Sequence, residues 1–133
     1  MDIYARRLFT IAAAYNFICS VPGFLSTTPF AARLGLAPAI DPTDLHIALV
    51  LVVTFGWGYW KIAQDPVANR PIIVLGIVGK VLVALFGYLD WLTGHASGTV
   101  ALVVTGDAIF AALFYHYLRY RMPGSQTAKG IAR

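Results

Sequence analysis

The sequence predicts an all-α polytopic membrane protein, a bundle of four transmembrane helices with a short interfacial helix between the first and second. Three observations carry this. The 133 residues are 59% hydrophobic and only 12% charged, about half the charge of a soluble domain, and every acidic residue is aspartate. Four long apolar segments divide the chain. The third, residues 72–92 (IIVLGIVGKVLVALFGYLDWL), is charged only at Lys80 and Asp90. As a helix it spans roughly 30 Å, the thickness of a bilayer's hydrocarbon core.

A lysine in the middle of such a segment costs about 2.5–3.5 kcal/mol on insertion scales. Gly76, Lys80, Ala84, Gly87 and Trp91 share one helix face, small except at its outer end. Small residues let helices approach closely within lipid, so Lys80 is expected to face other helices.

The remaining segments follow in order. Residues 2–7 read as a short polar lead. Residues 8–25 resemble a signal peptide, with Arg6 and Arg7 before an apolar run, and Cys19 lacks the small residue before it that a lipoprotein site needs. Three further spans follow, so the segment is read as a retained helix. Its Ala12, Asn16, Ser20 and Gly23 form a weakly polar face, and Pro22 is expected to end or kink it. In the connection 26–44, Thr28-Pro29 reads as a helix start and Gly35 as its stop. The result is an interfacial helix over 29–34, with Phe30, Leu34 and Leu36 on the membrane and Arg33 toward water. Asp41 caps the second span, 45–62, which ends in an aromatic cluster of Trp57, Tyr59 and Trp60. Polar turns at 64–71 and 93–98 flank the third span. The fourth, 99–118, closes with Tyr115, Tyr117 and Tyr120. Residues 1–121 therefore form the transmembrane domain, and 122–133 read as a flexible cytoplasmic tail.

Basic residues set the orientation. Arg6, Arg7, Lys61, Arg70, Arg119, Arg121, Lys129 and Arg133 fall on one side and only Arg33 on the other. This predicts a multi-pass protein of the cell inner membrane with both termini cytoplasmic. It also explains the positive charge without nucleic acid. The single cysteine excludes an internal disulfide.

Aligning the spans by depth puts one polar residue of each near the midplane: Asn16, Thr54, Lys80 and Asp107. Lys80 and Asp107 differ by roughly 6 Å in depth, within reach of a lysine side chain. Such a centre has two readings: a charge pair that fixes helix packing, or a site that binds a ligand head group or relays protons. Asp44, His46, Asp90 and His95 cluster at the outer end, where solvated helix ends are the expectation and no metal is assigned. No hydrolytic triad, phosphate loop, CxxC or HExxH is present.

The segments RRLFTIAAAYNFICS, PFAARLGL, GWGYWKIAQDP and GDAIFAALFYHYLR together resemble small four-helix bacterial inner-membrane proteins of the DoxX-like type, over residues 4–121. The resemblance implies a four-helix bundle, a role near a quinone-linked redox complex, and no cofactor held by this chain alone. It transfers no catalytic residue. Three functions follow as expectations: an accessory or anchoring subunit of a membrane complex, a bundle that binds or modifies a hydrophobic molecule such as a quinone or lipid, and a small oligomeric transporter or channel. The expected partners are the lipid bilayer, a larger complex or further copies of the chain, and a hydrophobic small molecule.

Overall fold

A computed structural model describes residues 2–36 and 41–122. It is all-helical, and four of its helices are long and apolar enough to cross a membrane. These are α1 (Ile3–Leu25), α3 (Pro42–Gln64), α4 (Arg70–Leu92) and α5 (Gly98–His116), with the short α2 (Thr27–Leu34) between the first two. The protein is thus a small multi-pass membrane protein. The expected tail lies almost wholly outside the described residues, as do Lys129 and Arg133.

The helices begin earlier than hydropathy alone indicates, because caps rather than apolar residues decide where a helix starts. Residues 3–7 are helical rather than a separate lead. The Asp2 carboxylate accepts from the backbone N–H groups of Tyr4 and Ala5, satisfying donors the first turn leaves unpaired. Asp41 does the same for α3 through Thr43 N–H at 2.7 Å, and Pro42 occupies the first position. Pro22 does not end α1. The helix runs on to Leu25, and its last turn closes with the Ser26 N–H on the Pro22 carbonyl at 3.0 Å.

α2 begins two residues before the expected start, at Thr27 with Ser26 in the cap position. Thr27 turns its hydroxyl back to the Gly23 carbonyl at 3.0 Å and to His46 Nε2 at 2.9 Å, so the chain passes from α1 into α2 almost without a break. Gly35 ends α2 with φ 71°, a left-handed conformation that glycine adopts freely. Phe30 and Leu36, expected on the membrane, are half-buried against the bundle. They pack on Ala31, Leu45 and Leu49, closing that end of the bundle. Ser97 donates to the Leu34 carbonyl at 2.7 Å and ties α2 to the start of α5.

The bundle consists of two intimate helix pairs, α1 with α3 and α4 with α5, joined more loosely to each other. The principal core lies toward the termini and gathers Ala5, Phe9, Tyr59, Ile62, Ile73, Phe114 and Tyr117. The rings of Phe9 and Phe114 lie 4.6 Å apart, and those of Tyr59 and Phe114 5.1 Å apart edge to face. The aromatic clusters that close the second and fourth spans in the sequence divide in the structure. Trp57, Trp60, Tyr115 and Tyr120 are exposed, but Tyr59 and Tyr117 are buried. Each buried tyrosine lies on the helix face turned inward, and a span's end is not uniformly interfacial. A π-helical turn over Tyr117–Arg121 follows α5 and ends at the buried Met122.

Candidate functional site

The midplane centre is built from all four long helices. Lys80 of α4 is only 4% exposed. Its ammonium lies 2.5 Å from Asp107 Oδ1 on α5 and donates to Asn16 Oδ1 on α1 at 3.2 Å. Because lysine only donates, the Asn16 amide turns its oxygen toward it and its NH2 away. That NH2 donates to the Val52 carbonyl of α3 at 3.0 Å. One amide therefore links the ion pair of one helix pair to the backbone of the other.

Aromatic rings complete the surroundings of the ammonium. Its Nζ is 5.1 Å from the centre of Tyr59, 5.3 Å from Phe110 and 5.7 Å from Tyr15. Each is within range of a cation–π interaction, which strengthens as water is excluded. Tyr15 is itself held in place, donating from its hydroxyl to the Val103 carbonyl at 2.6 Å. A charge pair in an apolar interior is costly unless its remaining hydrogen-bonding capacity is satisfied, and the amide and rings serve that purpose here.

Two glycines make the approach possible. A Cβ at Gly56 would meet Phe17 at 3.0 Å and Asn16 at 3.2 Å, so α3 can come close to α1 at the depth of the centre. A Cβ at Gly106 would overlap the hydroxyl end of Tyr15, which reaches the α5 backbone there. Toward the other end, Tyr88 and Thr105 join hydroxyls at 2.6 Å, a second polar tie between α4 and α5.

Of the four midplane residues expected from the sequence, the structure brings together Asn16, Lys80 and Asp107. Thr54 does not join them. It is exposed and returns its hydroxyl to the Val50 carbonyl of its own helix at 2.8 Å. It points away from the centre because Gly56 and Tyr59 carry the inward face of α3. The three rings were not among the candidates. Phe110 stood three residues after Asp107, on the same face, and Tyr15 beside Asn16. Nothing in the sequence marked Tyr59 as different from Trp57 and Trp60 beside it.

The outer set disperses. His46 bonds Thr27 and stacks on Phe24 at 5.9 Å, and His95 Nδ1 pairs with the Thr93 hydroxyl at 2.8 Å. Asp44 and Asp90 are exposed near the start of α3 and the end of α4. Among the described residues, no three His, Cys, Asp or Glu side chains are grouped so as to hold a metal ion.

No family model matches the chain, and no curated protein or solved structure matches it.

Proposed function

We propose that this protein is an accessory or anchoring subunit of a membrane complex, in the inner membrane with both termini cytoplasmic. The observation that supports this reading is the close engagement of the central ammonium. Lys80 is engaged by Asp107, by Asn16 and by three rings, within a junction of all four long helices. Chemistry so enclosed serves the shape of the bundle, and the exposed apolar sides of the helices are then its working surface. The likeness to DoxX-like proteins favours a redox- or quinone-linked complex as the setting. Mild extraction followed by native electrophoresis tests the reading. The parent should migrate in an assembly larger than the chain, and K80M/D107N should remain in it. Replacing exposed α4 residues, as in Val78→Asn with Leu82→Asn, should release it. Migration of the parent as a single chain under the mildest extraction would reject the reading.

One observation favours a second function, recognition of a hydrophobic molecule with a polar head group. Lys80 reaches only Oδ1 of Asp107, and that side chain is 14% exposed. The other carboxylate oxygen, Oδ2, is the one that would accept from a hydroxyl brought in from the membrane. Mass spectrometry of a lipid extract from the purified protein separates the two functions. A stoichiometric quinol or lipid alcohol, lost in Asp107→Leu, would establish the second.

A further inference from the structure

A groove of about 420 Å³ runs along the lipid-facing seam of α4 and α5. Ile77, Val81 and Ala84 line it from one side, and Ala108, Ala112 and Tyr115 from the other. Its volume lies within the roughly 300–1,000 Å³ typical of small-molecule sites. Ala84 and Ala111 are buried in its floor, so the seam is recessed because its residues are small.

The same helix faces lead to two arginines. Arg70 is seven residues before Ile77 on α4, and Arg119 is four residues after Tyr115, so each continues its face of the groove toward the termini. Both helices end at that level, where Ile73 packs in one cluster with Phe114 and Tyr117. Both arginines are exposed, and neither guanidinium has a partner among the described residues. Of the other described cations at this end, Lys61 lies over Trp57 and Trp60 and Arg121 lies 4.2 Å from the Tyr4 ring centre, while Arg6 and Arg7 are exposed on α1, which does not line the groove. Arg119 also falls within the π-helical turn, a departure from α-geometry often found at functional sites.

We propose that the α4–α5 seam is a binding site for an anionic phospholipid, with one acyl chain in the groove and the phosphate between Arg70 and Arg119. Charge complementarity identifies the occupant. The groove lies at hydrocarbon depth and its mouth carries two unpaired guanidiniums, suited to bidentate phosphate recognition. A second copy of the chain fits poorly. Copies inserted in the same orientation would meet across this seam with their Arg70 and Arg119 pairs at one level, four like charges together. An uncharged chain alone would leave the arginines unused.

Native mass spectrometry from detergent tests the site, with dioleoylphosphatidylglycerol and dioleoylphosphatidylcholine as probes. The parent should retain phosphatidylglycerol in preference to phosphatidylcholine. Each arginine near a lipid surface is worth about fivefold, so R70Q/R119Q should weaken phosphatidylglycerol retention at least tenfold and phosphatidylcholine, whose phosphate is balanced by its own choline cation, by less. Ala112→Phe, at an exposed position on the groove wall, should weaken retention of both lipids. R6Q/R7Q, which removes equal charge from α1 at the same end, should change neither. The proposal is overturned if R70Q/R119Q retains phosphatidylglycerol like the parent, or if R6Q/R7Q loses it equally. It is also overturned if the parent is a dimer that Ala112→Phe dissociates with lipid retention intact. Circular dichroism of each variant confirms that helicity is unchanged.

Discussion

Asn16 accepts a hydrogen bond from Lys80 at 3.2 Å across the boundary between the two helix pairs, and its other amide atom binds Val52 on the far side. The bond makes one neutral side chain the joint between an ion pair and a neighbouring backbone. Asn16→Leu removes both hydrogen bonds at once. It should lower stability by about 1–3 kcal/mol, the cost of stranding a partner of a buried polar group. Asn16→Asp should behave differently, since it sets a second carboxylate against the ammonium but leaves Val52 without a donor. Thermal unfolding in detergent, followed by circular dichroism, measures both. A parent-like Asn16→Leu would show that the two pairs are held by apolar packing alone.

The ion pair predicts a non-additive mutant cycle. Lys80→Met leaves the Asp107 carboxylate without its cation, and Asp107→Asn leaves a buried ammonium without its anion. Each should cost about 3–5 kcal/mol, and K80M/D107N should recover at least half of the larger loss. Additive losses in the thermal midpoints would mean that the two groups are not coupled.

Packing against Gly106 predicts a steric effect transmitted to the centre. In Gly106→Ala the new methyl group occupies the space of the Tyr15 hydroxyl and the ring carbon that bears it. Tyr15 must then shift, losing its bond to Val103 and its place beside Lys80. Overpacking of this kind costs about 1–3 kcal/mol. Pairing Gly106→Ala with Tyr15→Leu should relieve part of the loss, and a double variant less stable than either single change would contradict the mechanism.

Topology can be read by labelling. In a Cys19→Ser background, Thr99→Cys lies in the first turn of α5 and Gln64→Cys at the end of α3, both at exposed positions. An impermeant maleimide added to intact cells should label position 99 at once and position 64 only after permeabilisation. The reverse pattern would invert the orientation expected from the basic residues.

Acidification should loosen the start of α3. The Thr43 backbone N–H stabilises the charged form of Asp41, holding its carboxyl below the usual aspartate range. A carboxyl lowered by folding stabilises the helix above its unfolded value, about 3.9, and loses that effect as pH falls through the lowered folded value. Amide exchange at Thr43 and Asp44, corrected for its intrinsic pH dependence, should therefore quicken below about pH 4. Asp41→Asn should abolish this acid dependence.

The sequence by itself determined the number of spans, the inward face of α4 and the shared level at which Lys80, Asp107 and Asn16 meet. These follow from length, hydropathy and helical periodicity, which are properties of one helix at a time. It also placed Asp41 and Gly35 as cap and stop, because capping is local chemistry. The start of α2 was less legible, since Thr27 bonds to Gly23 and His46, and His46 lies 19 residues away. Only the tertiary structure decided that Thr54 faces outward and Tyr59 inward. Depth is set by counting residues, but azimuth is set by which neighbour a helix packs on, here through Gly56 against Asn16 and Phe17. The same holds for the seam between α4 and α5. Its alanines are visible in the sequence, but a recess exists only once two helices are placed side by side.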